Sequence, residues 1–244
     1  MAARGNSGSK SNVQSQQPFS AVPNKDRHTM TIRLVIFDID GTILQTYSWQ
    51  YLHENLGTWN RASEHRSQFF ANEITYEEWA RFDAALWKNQ PITEINRIID
   101  RMPYTRGAKE TITALKQMGI KIYLLSAGLT QVAERLQREI SVDGYTANNL
   151  IIRNGYLTGE VEVNVPFQSK DRHLPHILRE FNLKPERCAA VGDDPTLVPL
   201  FKKVTLAVAF NPTDRIVEEH ANVVIRSEDL RRIVHPILNW SKGN

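Results

Sequence analysis

The most constraining feature of this 244-residue sequence is an apolar run that ends in two closely spaced aspartates. Residues 34–37 are all apolar, and Asp38, Asp40 and a Gly41-Thr42 turn follow them. A short continuous apolar run bounded by turn residues predicts a fully buried strand of a parallel sheet. Ligands of open α/β sheets bind at the carboxyl ends of such strands, so both carboxylates are candidates for a functional site. An Asx-type turn without function is the alternative, because Asp and Gly are ordinary turn residues.

Two further apolar runs also end in polar residues. Residues 120–125 precede a Ser-Ala-Gly sequence, and residues 188–191 precede a Gly-Asp-Asp-Pro sequence. Lys170 opens a predicted helix that follows a hairpin signal, Asn154-Gly155. Because parallel strands end at one edge of a sheet, we expect these polar groups to converge there. The candidate site residues are Asp38, Asp40, Thr42, Ser126, Ala127, Gly128, Lys170, Asp193 and Asp194.

Each later candidate also has an ordinary structural explanation. Ser126 is compatible with a polar strand end, and Lys170 with a solvated lysine at a helix start. Either Asp193 or Asp194 is a plausible N-cap for a helix that begins at Pro195. The occurrence of all these pieces in order, three of them directly after an apolar strand, favours a catalytic interpretation.

Two neighbouring carboxylates repel each other unless they share a cation or one of them holds a proton. An acid cluster that binds Mg²⁺ and attacks phosphorus accounts for both conditions. In such chemistry Asp38 is the nucleophile that carries a phosphoryl group, and Asp40 is the general acid and then the base. Mg²⁺ is expected between Asp38, the backbone carbonyl of Asp40, and Asp193.

The remaining candidate residues are suited to binding the phosphate group of a substrate. Ser126 and the backbone amides near Gly41 and Gly128 are expected to bind the non-bridging oxygens. Lys170 is expected to neutralise charge between Asp38 and the phosphoryl group.

The spacing of apolar residues divides the chain into three parts. Residues 1–29 are rich in Ser, Asn, Gln and Gly and predict a disordered tail. Residues 47–102 have helical spacing, contain four of the five tryptophans, and predict a helical cap that acts as a lid. Residues 30–46 and 103–244 alternate between strand and helix patterns, which predicts an α/β core with a parallel sheet.

Composition narrows the functional classes. The formal charge of +3 comes from 30 Lys and Arg against 27 Asp and Glu, too small an excess to indicate nucleic-acid binding. A single cysteine, Cys188, lies in an apolar run and predicts a buried, inert thiol in a reducing compartment. No apolar run reaches membrane-spanning length, and the N-terminal residues have no signal-peptide pattern. We therefore expect a cytoplasmic protein; no feature of the chain indicates a particular oligomeric state.

The chain resembles a phosphatase of the haloacid dehalogenase superfamily, in its phosphoserine-phosphatase-like branch. The resemblance covers residues 31–240: the Asp-Ile-Asp-Gly-Thr sequence at 38–42 is similar to the first family motif, and Leu124-Leu125-Ser126-Ala127-Gly128 to the second. Lys170 corresponds to the third-motif lysine and Val191-Gly192-Asp193-Asp194 to the fourth motif. The resemblance implies a Rossmann-like core with a small helical cap, Mg²⁺ dependence and an aspartyl-phosphate intermediate.

Two departures from the family pattern concern metal and substrate. Leu197 stands where the fourth motif usually has a second acid, so Asp194 is expected to take over or metal binding to weaken. Tyr47 stands where the serine-specific enzymes have a glutamate for the substrate ammonium. Tyr47, Trp49, Gln50 and His53 therefore either contact a different small phosphate ester or only pack the cap.

Three functional hypotheses follow. The first is a Mg²⁺-dependent phosphomonoesterase that acts on a small phosphorylated metabolite. The others are a catalytically weak binding or regulatory module and a true phosphoserine phosphatase.

Overall fold

The computed structural model describes residues 31–240, so the predicted tail at 1–29 lies outside the described residues. It contains a seven-stranded sheet with helices between the strands. The strands are β1 (Leu34–Phe37), β2 (Lys121–Leu129), β3 (Gly144–Arg153), β4 (Tyr156–Glu162), β5 (Cys188–Gly192), β6 (Leu206–Phe210) and β7 (Val223–Ile225). Their order across the sheet is β4-β3-β2-β1-β5-β6-β7, and only the β3–β4 pair is antiparallel. The predicted α/β, Rossmann-like sheet is confirmed.

Ten α-helices and four short 3-10 helices lie within residues 31–240. The α-helices are α1 (Ser48–Asn55), α2 (Trp59–Phe70), α3 (Tyr76–Ala85), α4 (Ile92–Ile99), α5 (Ala108–Gln117), α6 (Thr130–Ile140), α7 (Leu174–Glu180), α8 (Val198–Phe201), α9 (Arg215–Glu219) and α10 (Val234–Leu238). The 3-10 helices are Lys170–His173, Pro185–Arg187, Pro195–Leu197 and Leu230–Ile233. Within the described residues no helix combines the length and apolar composition needed to cross a membrane.

The central strand β1 is buried on both faces, which explains its unbroken apolar sequence. Val35 and Phe37 belong to a hydrophobic cluster on one side of the sheet, and Leu34 and Ile36 to a second cluster on the other. Strand β5, beside β1, and the next strand in the sheet, β6, are buried throughout. Parallel sheets covered by helices on both faces favour such strands.

The second strand is longer than predicted. We expected it to end at Leu125 with Ser126-Ala127-Gly128 beyond it, but β2 continues to Leu129. Its pairing with β3 shifts register between Leu125 and Leu129, so the polar sequence lies in an irregular stretch of the strand. A register shift of this kind has no apolar signature, which is why the sequence pattern missed it.

The predicted hairpin is confirmed, although β3 begins earlier than expected. Asn154 and Gly155 both have positive φ, 52° and 81°, the conformation that Asn-Gly favours in a two-residue turn. We expected this strand at the apolar residues 150–152 that precede the Asn-Gly turn, but β3 starts at Gly144, because its first residues pair in parallel with β2 before the rest pairs with β4.

Helices α1–α4 all fall within the segment predicted to be a cap. A capping box is present at α3, where Thr75 accepts from the Glu78 amide and Glu78 accepts from the Thr75 amide. The division of the chain into a cap, residues 47–102, and a core, residues 30–46 and 103–244, stays a prediction.

Arg135 of α6 joins that helix to the end of the cap segment. Its side chain is nearly fully buried, and its guanidinium donates to the carbonyl oxygens of Ile99 at 2.6 Å and Met102 at 2.9 Å. We expect Arg135→Met to lower the free energy of unfolding by about 2–4 kcal/mol, because two buried carbonyls lose a charged donor. Urea unfolding measures the change. The matched control is Arg231→Met, which breaks a solvent-exposed pair with Asp229 and should leave the free energy of unfolding nearly unchanged. Equal losses in the two variants would contradict the assignment.

Candidate active site

Asp38 lies directly after β1, where the backbone and one buried cation hold its carboxylate. The Ile39 amide donates to Oδ1 at 2.8 Å, and the Lys170 ammonium pairs with Oδ2. Both side chains are buried, with 3% of Asp38 and 1% of Lys170 exposed. The predicted convergence of these two residues, 132 positions apart in the chain, is confirmed.

Asp193 follows β5 and is held by two hydroxyl groups. Thr42 donates to Oδ1 at 2.9 Å, and the Tyr47 phenol donates to Oδ2 at 3.0 Å. Gly41 allows this approach, because a Cβ on it would lie 2.2 Å from Asp193 Oδ2 and its φ is +72°. Thr42, predicted to bind substrate, is fully buried and directed at Asp193.

Asp40 is fixed through one oxygen only. The Ser48 amide and hydroxyl both donate to Oδ2, at 3.0 and 2.7 Å. Among the described residues nothing bonds to the buried Oδ1. Burial raises the pKa of Asp40 to about 7, although the Ser48 bonds oppose the shift. Oδ1 is therefore the oxygen free to carry a proton near neutral pH.

Gly128 makes room for the Asp40–Ser48 contact. A Cβ at this position would lie 2.6 Å from Ser48 Oγ and 2.8 Å from Asp40 Oδ2. Its amide donates to Ser126 Oγ at 3.0 Å, which leaves the hydroxyl hydrogen of Ser126 able to donate elsewhere. The Ala127 carbonyl accepts from Trp49, Tyr76 and Asn148, and so ties the cap segment to β2.

Negative charge exceeds positive charge in this cluster. Burial raises the pKa of Asp38 despite Lys170, and burial with the nearby Asp38 and Asp194 raises that of Asp193 well above its usual value. Burial alone would lower the pKa of Lys170, but the surrounding carboxylates raise it, so the lysine stays charged. One ammonium thus faces several buried carboxylates.

This charge balance and donor set fit a hard divalent cation. No three His, Cys, Asp or Glu side chains in residues 31–240 are arranged to hold a metal together. Mg²⁺, however, usually takes only one or two protein carboxylates and keeps several waters. Asp38 and Asp193 could supply these, with the Asp40 backbone carbonyl as a third oxygen.

Asp194 has a second, structural role. Its Oδ1 accepts from the amide and hydroxyl of Thr196, which caps the 3-10 helix Pro195–Leu197. The predicted N-cap is therefore confirmed for this aspartate, and its part in metal binding stays a prediction. Leu197 is 1% exposed and packs among apolar residues close to Gly192.

A cavity of about 550 Å³ opens onto these groups from the cap segment. Its walls include Asp38, Asp40, Ser126, Ala127, Gly128, Lys170 and Asp194. Tyr47, Trp49, Gln50 and His53 also line it, while Trp49 stacks on Trp87 and the His53 ring packs against Trp87 in a tilted contact. Trp49 and His53 therefore pack within the cap segment and line the cavity at once, and contact of these four residues with a substrate stays a prediction.

Ser48 is the site residue that the sequence did not indicate. It is a lone serine at the start of a helix, and no motif marks it; its importance follows only from the backbone path that brings it back to Asp40.

Known proteins resemble this chain in sequence and fold. A family model for haloacid dehalogenase-like hydrolases matches residues 32–204. A phosphoserine phosphatase of Archaeoglobus fulgidus is 30% identical over 88% of this chain, which spans only 60% of that relative's length. One from Methanocaldococcus jannaschii is 29% identical over 83% of this chain and 96% of its own. A solved phosphoserine phosphatase carrying a phospho-aspartyl intermediate analogue is 28% identical with a TM-score of 0.74, covering 85% of this chain and 99% of its own.

Proposed function

Because the chain belongs to the haloacid dehalogenase-like hydrolases, among their phosphatases, we propose that it is a Mg²⁺-dependent phosphomonoesterase of a small phosphorylated metabolite. The observation that carries this proposal is the pairing of a buried, lysine-bound Asp38 with a half-buried Asp40 whose buried Oδ1 is free to hold a proton. A nucleophile and an acid two residues apart are what ester cleavage through a covalent intermediate requires.

In the first step a carboxylate oxygen of Asp38 forms a bond to phosphorus as the ester P–O bond breaks. The proton on Asp40 Oδ1 passes to the departing oxygen, which leaves as an alcohol. In the second step Asp40 takes a proton from water, the water oxygen attacks phosphorus, and the bond to Asp38 breaks. Phosphate leaves and Asp40 is protonated again, so the cycle closes.

The other residues position the phosphoryl group. Lys170 offsets the charge between Asp38 and the phosphoryl oxygens, and the free hydroxyl hydrogen of Ser126 donates to one of them. Gly128 and Ala127, beside Ser126, line the same wall. Thr42 acts indirectly, because its hydroxyl group donates a hydrogen bond to Asp193.

Bound Mg²⁺ supplies charge neutralisation for the phosphoryl oxygens and the nucleophile. Asp38, Asp193 and the Asp40 carbonyl hold it in this proposal, with Asp194 as a further candidate. Tyr47 and Thr42 orient Asp193 for this task.

The test is phosphate release from a panel of phosphate esters, with Mg²⁺ and with excess EDTA. We expect metal-dependent release, and acid quenching during turnover should trap one phosphoryl group per chain. Peptide mass spectrometry should locate that group on Asp38. Release that is indifferent to EDTA, or a phosphoryl group on another residue, overturns the mechanism. No release from any ester supports the binding-module alternative.

Phosphoserine is the second candidate at the level of substrate, because the curated relatives above are phosphoserine phosphatases. It therefore belongs in the ester panel.

The cytoplasmic location stays a prediction.

Ser48 gives a prediction specific to this chain. We expect Ser48→Ala to lower kcat about 3- to 10-fold, because one of two bonds that orient Asp40 is lost. The lost bond also favoured the ionised acid, so the pKa of Asp40 should rise and the alkaline limb of kcat should move to higher pH. Ser48→Thr, which keeps a hydroxyl, is the matched control for the pH profile. An unchanged profile in Ser48→Ala would contradict the positioning role.

A further inference from the structure

We infer that the cap cavity selects phosphate esters whose leaving group carries a flat aromatic ring; this inference rests on the proposed function. Besides Tyr47, which donates to Asp193, six aromatic side chains line the cavity: Trp49, Trp59, Phe70, Tyr76, Trp79 and Phe167. A cavity of about 550 Å³ lies in the range that holds drug-sized ligands, larger than a phosphoseryl group alone needs.

Three of these rings, Trp49, Trp79 and Phe167, are held by packing against other rings of the protein. Trp79 stacks on Phe69 at 4.8 Å between ring centroids, and Phe167 meets the same ring edge-on at 5.2 Å. Trp49 stacks on Trp87 at 5.2 Å. Rings held in this way offer apolar faces at little further entropic cost.

The polar tips of two of these rings are already used inside the protein, whereas the buried indole nitrogen of Trp79 has no hydrogen-bond partner among the described residues. The Trp49 indole and the Tyr76 hydroxyl both donate to the Ala127 carbonyl, at 3.2 and 3.1 Å. The Tyr76 oxygen also accepts from Asn148. What these two residues can present to a leaving group is therefore their apolar ring surface.

The charges of the cap segment argue against an ammonium-bearing leaving group. Asp83 lies in the cavity wall, but His65 Nδ1 is 2.7 Å from one of its oxygens and His53 Nε2 is 3.3 Å from the other. The cation on this side of the cavity, Arg66, lies over the Phe70 ring at 5.0 Å. A neutral ring meets neither an unpaired acid nor electrostatic repulsion there. Asp214 also lines the cavity, but its side chain is exposed to solvent and accepts the hydrogen bond that caps α9.

The experiment compares kcat/KM for benzyl phosphate, cyclohexylmethyl phosphate, ethyl phosphate, phosphocholine and phosphoserine on the full chain with Mg²⁺. Burying one phenyl ring should favour benzyl over ethyl phosphate by about 10- to 100-fold. Benzyl should also exceed cyclohexylmethyl phosphate, which has similar bulk but no aromatic face. Trp59→Leu and Trp79→Leu should each lower the benzyl-to-ethyl ratio by about 3- to 10-fold. Trp240→Leu, away from the cavity, is the matched control and should leave that ratio unchanged.

Three outcomes overturn the inference while the proposed function stands: phosphoserine equals or exceeds benzyl phosphate, cyclohexylmethyl equals benzyl phosphate, or phosphocholine is preferred. Absence of Mg²⁺-dependent release from every ester is a failure of the proposed function instead. Circular dichroism of each variant separates a lost preference from a lost fold.

Discussion

Replacing Asp38 by Asn should reduce phosphate release by at least about 10⁴-fold, the scale at which removing a nucleophile acts on covalent catalysis. The amide keeps the shape of the side chain, and its oxygen can still accept from the Ile39 amide. It cannot attack phosphorus as a carboxylate does. The loss should therefore appear in kcat, and the phosphoryl group trapped in the wild type should disappear.

The control for this variant is Asp100→Asn, an exposed aspartate at the end of α4. It removes the same charge from the chain without touching the site, so turnover should stay within about twofold of wild type, as expected for a surface change. If Asp38→Asn retains Mg²⁺-dependent release above a few per cent, another residue is the nucleophile. Thermal unfolding of both variants shows whether a loss of turnover reflects the fold.

The central strands were predictable because burial on both faces leaves a strong signal in sequence. Strand β1, which contains Val35 and Phe37, is apolar at every position, because both of its faces are buried. The polar residues after β1 and β5 mark where these strands end. The irregular part of β2 around Ser126 was not predictable in the same way. Its backbone follows β3 through a register shift, and that pairing depends on a strand nearly twenty residues away.

The candidate site was predictable to the extent that strand ends carry it. Asp38 and Asp193 follow adjacent parallel strands, so topology alone brings them near each other. The contacts from the cap segment were not predictable, because Tyr47 and Ser48 reach Asp193 and Asp40 only after the chain has turned back. Two successive residues thus hold two acids of the site, and their positions in the sequence give no sign of it.

Lys170→Met should lower both activity and stability, because Lys170 is the cation paired with Asp38 inside the protein. Turnover should fall by about 10²- to 10³-fold, as when a group that stabilises transition-state charge is removed. Without Mg²⁺ the free energy of unfolding should fall by about 3–5 kcal/mol, because a buried carboxylate loses its partner. Lys203→Met breaks an exposed pair with Asp171 and, as the control, should cost under about 1 kcal/mol.

The pH dependence and a double variant separate charge from packing. Without the ammonium the pKa of Asp38, already raised by burial, rises further. A folded-state pKa above the unfolded value means that stability is present at low pH and lost as pH rises through the folded pKa. The decrease in the free energy of unfolding that Lys170→Met causes should therefore be larger at pH 8 than at pH 5. Asp38→Asn combined with Lys170→Met should regain most of the stability but no activity, because the carboxylate that Lys170 pairs with is removed together with the lysine. A double variant no more stable than Lys170→Met would show that the loss comes from packing.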